Sequence, residues 1–133
     1  MAVLALKLGA AQVQIFRPYR DEVPWDLLVG DAAEQPEYGA SAQMRVAKLG
    51  DEVVAVYVLE ASDALVYYLR MLVVAPGYRR RGLGRWVLGH AIGLAESKGG
   101  RELRVRGGQG ERYLLAHHFE RYGDELRFVF IPE

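Results

Sequence analysis

No cysteine occurs in the 133 residues. Structural disulfides, thiolate nucleophiles and thiolate metal sites are therefore excluded. Excess charge is missing too. Lys+Arg and Asp+Glu both number 17, so no global field steers the chain to nucleic acid or a membrane surface. Nothing approaches the apolar run that spans a bilayer. Met1-Ala2-Val3-Leu4-Ala5-Leu6-Lys7-Leu8 lacks the basic start and long apolar stretch of a signal peptide. Histidine is sparse, and His90, His117 and His118 show no metal-ligand spacing. Repeats, low-complexity tracts and linkers are absent as well. The expectation is a cytoplasmic protein with no metal and no nucleic-acid or membrane partner.

What is present has the balance of an ordinary globular fold, with 51% hydrophobic and 26% charged residues. One domain over residues 1–133 is expected, burying roughly two-thirds of its unfolded surface. Val3 to Leu8 and Val13 to Phe16 alternate as short strands do. Pro24-Trp25-Asp26-Leu27-Leu28-Val29 reads as a short helix with Pro in its first turn. Asp31 can cap a further turn, and Gln35 to Ser41 is polar and turn-like. Met44–Leu49 and Val53–Leu59 form a hairpin across Gly50-Asp51, and Leu65–Val74 is a third strand. A helix runs from near Gly82 to the stop at Gly99-Gly100. Leu103–Val105 is a strand, Glu111–Tyr122 a helix and Leu126–Ile131 a final strand. Gly89 and Gly93, at helical spacing, are expected to let the long helix approach the sheet.

The stretch from Val73 to Arg85 breaks the usual charge rule. Its strand side is apolar and stops at Pro76-Gly77. The helix that follows has no Ser, Thr, Asp or Asn cap and no acid in its first turn, but carries Arg79, Arg80, Arg81 and Arg85. Unliganded, these arginines oppose the positive end of the helix dipole. A bound polyanion reverses that cost, because free N–H groups, glycines and cations converge on it. The reading is a phosphate or pyrophosphate cradle. The Lys-Ser/Thr of a nucleotide-triphosphatase loop and the third glycine of a dinucleotide fingerprint are both missing.

Arg79-x-x-Gly82-x-Gly84, preceded by Val-x-Pro-x-Tyr, resembles the acyl-coenzyme A loop of the GNAT acetyltransferase superfamily. The element order is similar to that family's from about residue 22 to residue 131. Asp21 to Leu28 looks like the opening of some small bacterial members. The resemblance implies an α+β fold whose mixed, mostly antiparallel central sheet has a splayed central strand pair and helices on both faces. It implies acetyl-CoA as cosubstrate, with Leu72, Val73 and Val74 pairing with the pantetheine arm. The amides from Arg79 through Arg80, Arg81, Gly82 and Leu83 to Gly84 would hold the pyrophosphate, and the arginine side chains, Arg85 included, would add charge.

The implied reaction is direct transfer of an acetyl group to a primary amine of a small molecule or protein. It needs a base, a carbonyl polariser and an acid. Many members place a glutamate where Tyr68 stands, and a tyrosine on the last helix where Phe119 stands. The usual asparagine near that helix start is replaced by Gly110 or Arg112. Replacement candidates are Tyr68, His117, His118, Tyr122 and Glu60, of which Tyr68 and His118 are the catalytic assignments. The alternative is a non-catalytic acyl-CoA-binding or protein-interaction domain. Ten residues follow Gly123, too few for the family's two closing strands. Val3–Leu8 or a second subunit of a homodimer is expected to cover the resulting edge.

Overall fold

The computed structural model describes residues 3–5, 12–19, 22–24, 42–62, 65–80, 82–108 and 110–130. The helix expected from Pro24 to Val29, the turns between Asp31 and Ser41, and Arg81 lie wholly or largely outside these residues. The described strands are β1 (Val3–Ala5), β2 (Gln12–Phe16), β3 (Ala42–Leu49), β4 (Glu52–Ala61), β5 (Val66–Val74), β6 (Glu102–Arg106), β7 (Glu120–Tyr122) and β8 (Glu125–Val129). The helices are α1 (Leu83–Ser97) and α2 (Glu111–Ala116). The strands form one sheet in the order β1-β2-β3-β4-β5-β6-β8-β7. Every pairing is antiparallel except β5 with β6.

That parallel pairing shapes the molecule. A parallel neighbour needs a crossover, supplied here by α1, and it is brief. Val66, Tyr67 and Tyr68 pair with Glu102, Leu103 and Arg104, and the ladder stops there. β5 continues to Val74 beside β4, while β6 continues to Arg106 beside β8. The two strands therefore diverge, as expected for a splayed central pair. Residues 69–74 have no ladder on the β6 side, so alternate backbone N–H and C=O groups there are available to a ligand.

The spacing of Leu83, Val87, Leu88, Ala91 and Ala95 puts one apolar stripe of α1 on the sheet, and all five are buried. They pack with Tyr57, Leu59, Tyr67, Leu69, Leu103 and Leu126 in the main core. Each fully buried Leu or Val contributes about 1.5–3 kcal/mol. Both described helices contribute to this core: Leu114 of α2 is part of it. On the opposite face Val46 and Val56 centre a smaller cluster with Val23, Met44, Met71 and Val73. Gly89 and Gly93 are not at the helix–sheet contact. Both are exposed, with nothing within 4 Å of a built Cβ, because the buried stripe runs along other positions.

The C-terminal third departs from expectation. The helix expected over Glu111–Tyr122 ends at Ala116. His118 takes a left-handed conformation (φ 73°), doing what glycine usually does at a helix end. Glu120–Tyr122 then forms β7, which turns through Gly123-Asp124 into β8 with Tyr122 opposite Glu125. Gly123, at φ 62°, belongs to a tight hairpin rather than a helix terminus. Both closing strands are thus present, and β7 is the edge strand at that end of the sheet. β1 lies at the other end of the sheet, on β2.

Candidate active site

The diverging strands, α1 and α2 enclose a cavity of about 270 Å³. Leu69 to Leu72 of β5 form one wall, Val105 and Arg106 of β6 another. Leu88 closes it from α1, and Gly110, Tyr113 and Leu114 from α2. The lining is mostly apolar, suited to a flexible organic chain, with the unpaired edge of β5 supplying hydrogen-bonding groups.

From the cavity wall at Leu72, β5 runs on through Val73 and Val74 into the loop that precedes α1. Pro76–Tyr78 makes a 3-10 turn, and the Tyr78 hydroxyl donates to Glu52 Oε2 at 2.8 Å. Arg79 turns back so that its Nε donates to the Val74 carbonyl at 3.0 Å. Arg80 is held at φ 64° and Gly82 at φ 80°. A non-glycine residue in this region costs about 1–2 kcal/mol, and such strain concentrates at functional sites. Gly82 caps α1 without any side-chain hydrogen bond, and the first turn holds no acid. The helix's first internal bond runs from Trp86 N to Gly82 O, at 3.1 Å. The N–H groups of Leu83, Gly84 and Arg85 therefore have no helical acceptor.

A Cβ at Gly84 would meet Val74 Cγ2 at 3.7 Å, ordinary contact, and nothing closer. The protein's own packing does not require glycine at this position, and the backbone there is open to an approaching group. Among the described residues, Arg79, Arg80 and Arg85 have no carboxylate partner. Amides without a helical acceptor, three cations without a carboxylate partner among the described residues, and an open glycine thus lie together in the stretch from Arg79 to Arg85.

A family model, Acetyltransferase (GNAT) family, matches residues 11–119. The chain belongs to the GNAT acetyltransferase family. Solved members share its fold. A GNAT family acetyltransferase from Elizabethkingia anophelis, solved with acetyl-CoA bound, has a TM-score of 0.76 at 21% identity, over 89% of this chain and 98% of that one. The IAA acetyltransferase of Bacillus cereus has a TM-score of 0.73 at 24% identity, over 86% and 96%. An acetyltransferase of Bacillus subtilis in complex with CoA has a TM-score of 0.69 at 18% identity, over 91% and 99%. No curated protein matches the chain.

Within this GNAT cleft the residues singled out from sequence are dispersed. Leu72 lines the cavity. Val73 and Val74 continue along the diverging segment of β5, and Val73 belongs to the small opposite-face cluster. Tyr68 lies on that opposite face, in a network of paired charges. Its hydroxyl donates to Glu125 Oε1 at 3.0 Å, and Arg70 stacks over its ring at 4.5 Å. Arg70 also pairs with Glu60 at 2.8 Å. Arg104 and Arg127 clasp the Tyr122 ring from 4.9 and 4.2 Å. Hydrogen bonding to Glu102 raises the Arg104 pKa and keeps the guanidinium charged. His118 is exposed in the turn after α2 and is not part of the cavity lining. His117 sits beside it, its Nδ1 2.8 Å from the Tyr113 carbonyl oxygen.

Tyr113 is the residue the sequence reading passed over. It lines the cavity from α2, and its ring stacks on His117 at 4.2 Å. Burial pushes its pKa up, and the charge of Arg85 across the cleft opposes that only in part. The hydroxyl is therefore protonated at neutral pH and able to donate. Counting back from Gly123 led to Phe119, a buried core residue packed on Phe128 at 5.4 Å. The same four-residue count from the left-handed His118 lands on Leu114, a core residue of α2 and the chain neighbour of Tyr113. A left-handed His118 was the missing signal.

Proposed function

We propose that the protein is an acetyl-CoA-dependent N-acetyltransferase, with a primary amine of a small molecule or a protein as acceptor. One observation supports this reading: an apolar cleft lies between diverging strands, and β5 runs from its wall into an uncapped, arginine-flanked helix start. Bound there, acetyl-CoA supplies the activated acetyl group as a thioester. The residues fit it, since Gly84 leaves the backbone open to a pyrophosphate and Arg80 and Arg85 have no carboxylate partner among the described residues. Free backbone groups of residues 69–74 orient the pantetheine arm, and one of their N–H groups can polarise the thioester carbonyl. Tyr113, which lines the cleft from α2, is the proposed donor of a proton to the departing sulfur. Tyr68, tied to Glu125 and Arg70, shapes the far wall of the acceptor side. His118 remains a solvent-side candidate for carrying a proton away.

The test is direct. Acetyl-CoA is mixed with the protein and a panel of amines, and released thiol is titrated. With no cysteine in the chain, every thiol detected is CoA's. Amine-dependent thiol release is expected. Tight acetyl-CoA binding without release by any small amine or peptide would favour the non-catalytic binding domain instead.

A further inference from the structure

Continuing the β2–β3 register one step beyond Phe16 opposite Val46 sets Arg17 opposite Arg45. Like charges directly across a sheet destabilise it. Both arginines line a second, more open cavity of about 480 Å³, together with Pro18, Val23, Gln43 and Met44. Among the described residues no carboxylate lines this cavity, and neither arginine has an acidic partner. Glu22, the described carboxylate of the adjoining loop, is already engaged by Lys48 and by the Tyr19 amide.

Arg45 is fixed rather than free. Its guanidinium donates to the Met44 carbonyl at 2.9 Å and to Gln43 Oε1 at 3.1 Å, both neutral acceptors. Among the described residues, no carboxylate answers its charge. Across the sheet Arg45 faces Tyr57, whose hydroxyl shares a 2.8 Å hydrogen bond with His90 Nδ1 on α1. That side of the pocket contributes no negative charge. Burial and the charge of Arg17 lower the Arg45 pKa, as expected of a cation without a counter-ion.

We propose that Arg17 and Arg45 form an oxyanion-binding fork that takes a carboxylate or phosphate group, separate from the cradle at Arg79–Gly84. Two guanidiniums can chelate two oxygens of either group, and the anion turns a repulsive pair into an attractive one. The pocket lies on β2 and β3, with β4 between it and β5, so a small anionic ligand can occupy it beside a filled cleft.

Thermal unfolding in phosphate and in acetate, each against chloride at equal ionic strength, tests this. Gly84→Glu serves as background, since its carboxylate shuts the cradle. A rise of several degrees is expected in both wild type and Gly84→Glu, and its loss in Arg17→Gln and in Arg45→Gln. A response to phosphate alone identifies a phosphate ligand; one that acetate reproduces identifies a carboxylate. Arg17 is exposed, so its variant remains informative if Arg45→Gln folds poorly. A rise that survives both substitutions overturns the proposal. So does no response in wild type and Gly84→Glu, which would mean that the fork is already filled by an acidic group of the chain itself.

Discussion

Gly84→Ala is expected to stabilise the free protein while weakening acetyl-CoA, two effects of opposite sign from one methyl group. Gly84 is the second residue of α1, and its Cβ would make one ordinary contact, with Val74 Cγ2 at 3.7 Å. Replacing glycine by alanine at a compatible position stabilises by about 0.4–1 kcal/mol, chiefly by restricting the unfolded chain. For a domain of this size that raises the midpoint by about 1–4 °C. A ligand at a hundred times its dissociation constant adds about 2.7 kcal/mol. A tenfold loss of affinity leaves about 1.4 kcal/mol at the same concentration, so the ligand-induced shift falls to about half. The assay is differential scanning fluorimetry of both proteins with and without acetyl-CoA. Gly82→Ala is the internal contrast: at φ 80° it loses stability even without ligand. An alanine at 84 that destabilises the free protein, or one that leaves the acetyl-CoA shift untouched, would refute the argument that the glycine exists for the ligand.

Arg80→Gly relieves the φ 64° strain and removes a charge from the helix start, so the free protein gains about 1 kcal/mol in urea unfolding while acetyl-CoA affinity drops by calorimetry. Tyr113→Phe keeps the stack on His117 but removes the proton donor. It should lower kcat by about 10²–10⁴ with little change in KM for acetyl-CoA, and an unchanged kcat rules Tyr113 out. Burial and the nearby charge of Arg45 hold the His90 pKa below its ordinary 6.5. The unfolded chain therefore binds a proton where the folded one does not, and His90's contribution to stability is lost as pH falls below 6.5 toward the lowered value. His90→Gln should flatten that part of the stability–pH curve, measured by denaturant titration between the two values.

The uneven legibility of the sequence has physical causes. The Met44–Leu59 hairpin and α1 could be read because Gly50-Asp51 and Gly99-Gly100 punctuate strongly periodic segments. The arginine-flanked helix start stood out because four arginines without a capping side chain violate a local rule. The segment after Glu111 misled because its punctuation is a histidine. Nothing in His117-His118 announces a left-handed residue, and Gly123 drew the expected helix end to Tyr122, past the observed end at Ala116. Tyr113 was missed with it. Arg17 and Arg45 are 28 positions apart and meet through strand register, which composition does not show. Tyr68 stood at a position where relatives carry a glutamate, yet its partners, Glu125 and Arg70, come from β8 and from its own strand.

The brief contact between β5 and β6 has a mechanical meaning. One leaf of the sheet holds β1 to β5, the other β6, β8 and β7, and the ladder across the seam is three residue pairs long. Side-chain stitching by Tyr68 to Glu125 and the shared roof of α1 reinforce it. A seam left open to admit a molecule is also the line along which the leaves can part. An extended ligand chain laid into it would act as a temporary extra strand, closing the sheet and stiffening the protein for as long as it stays.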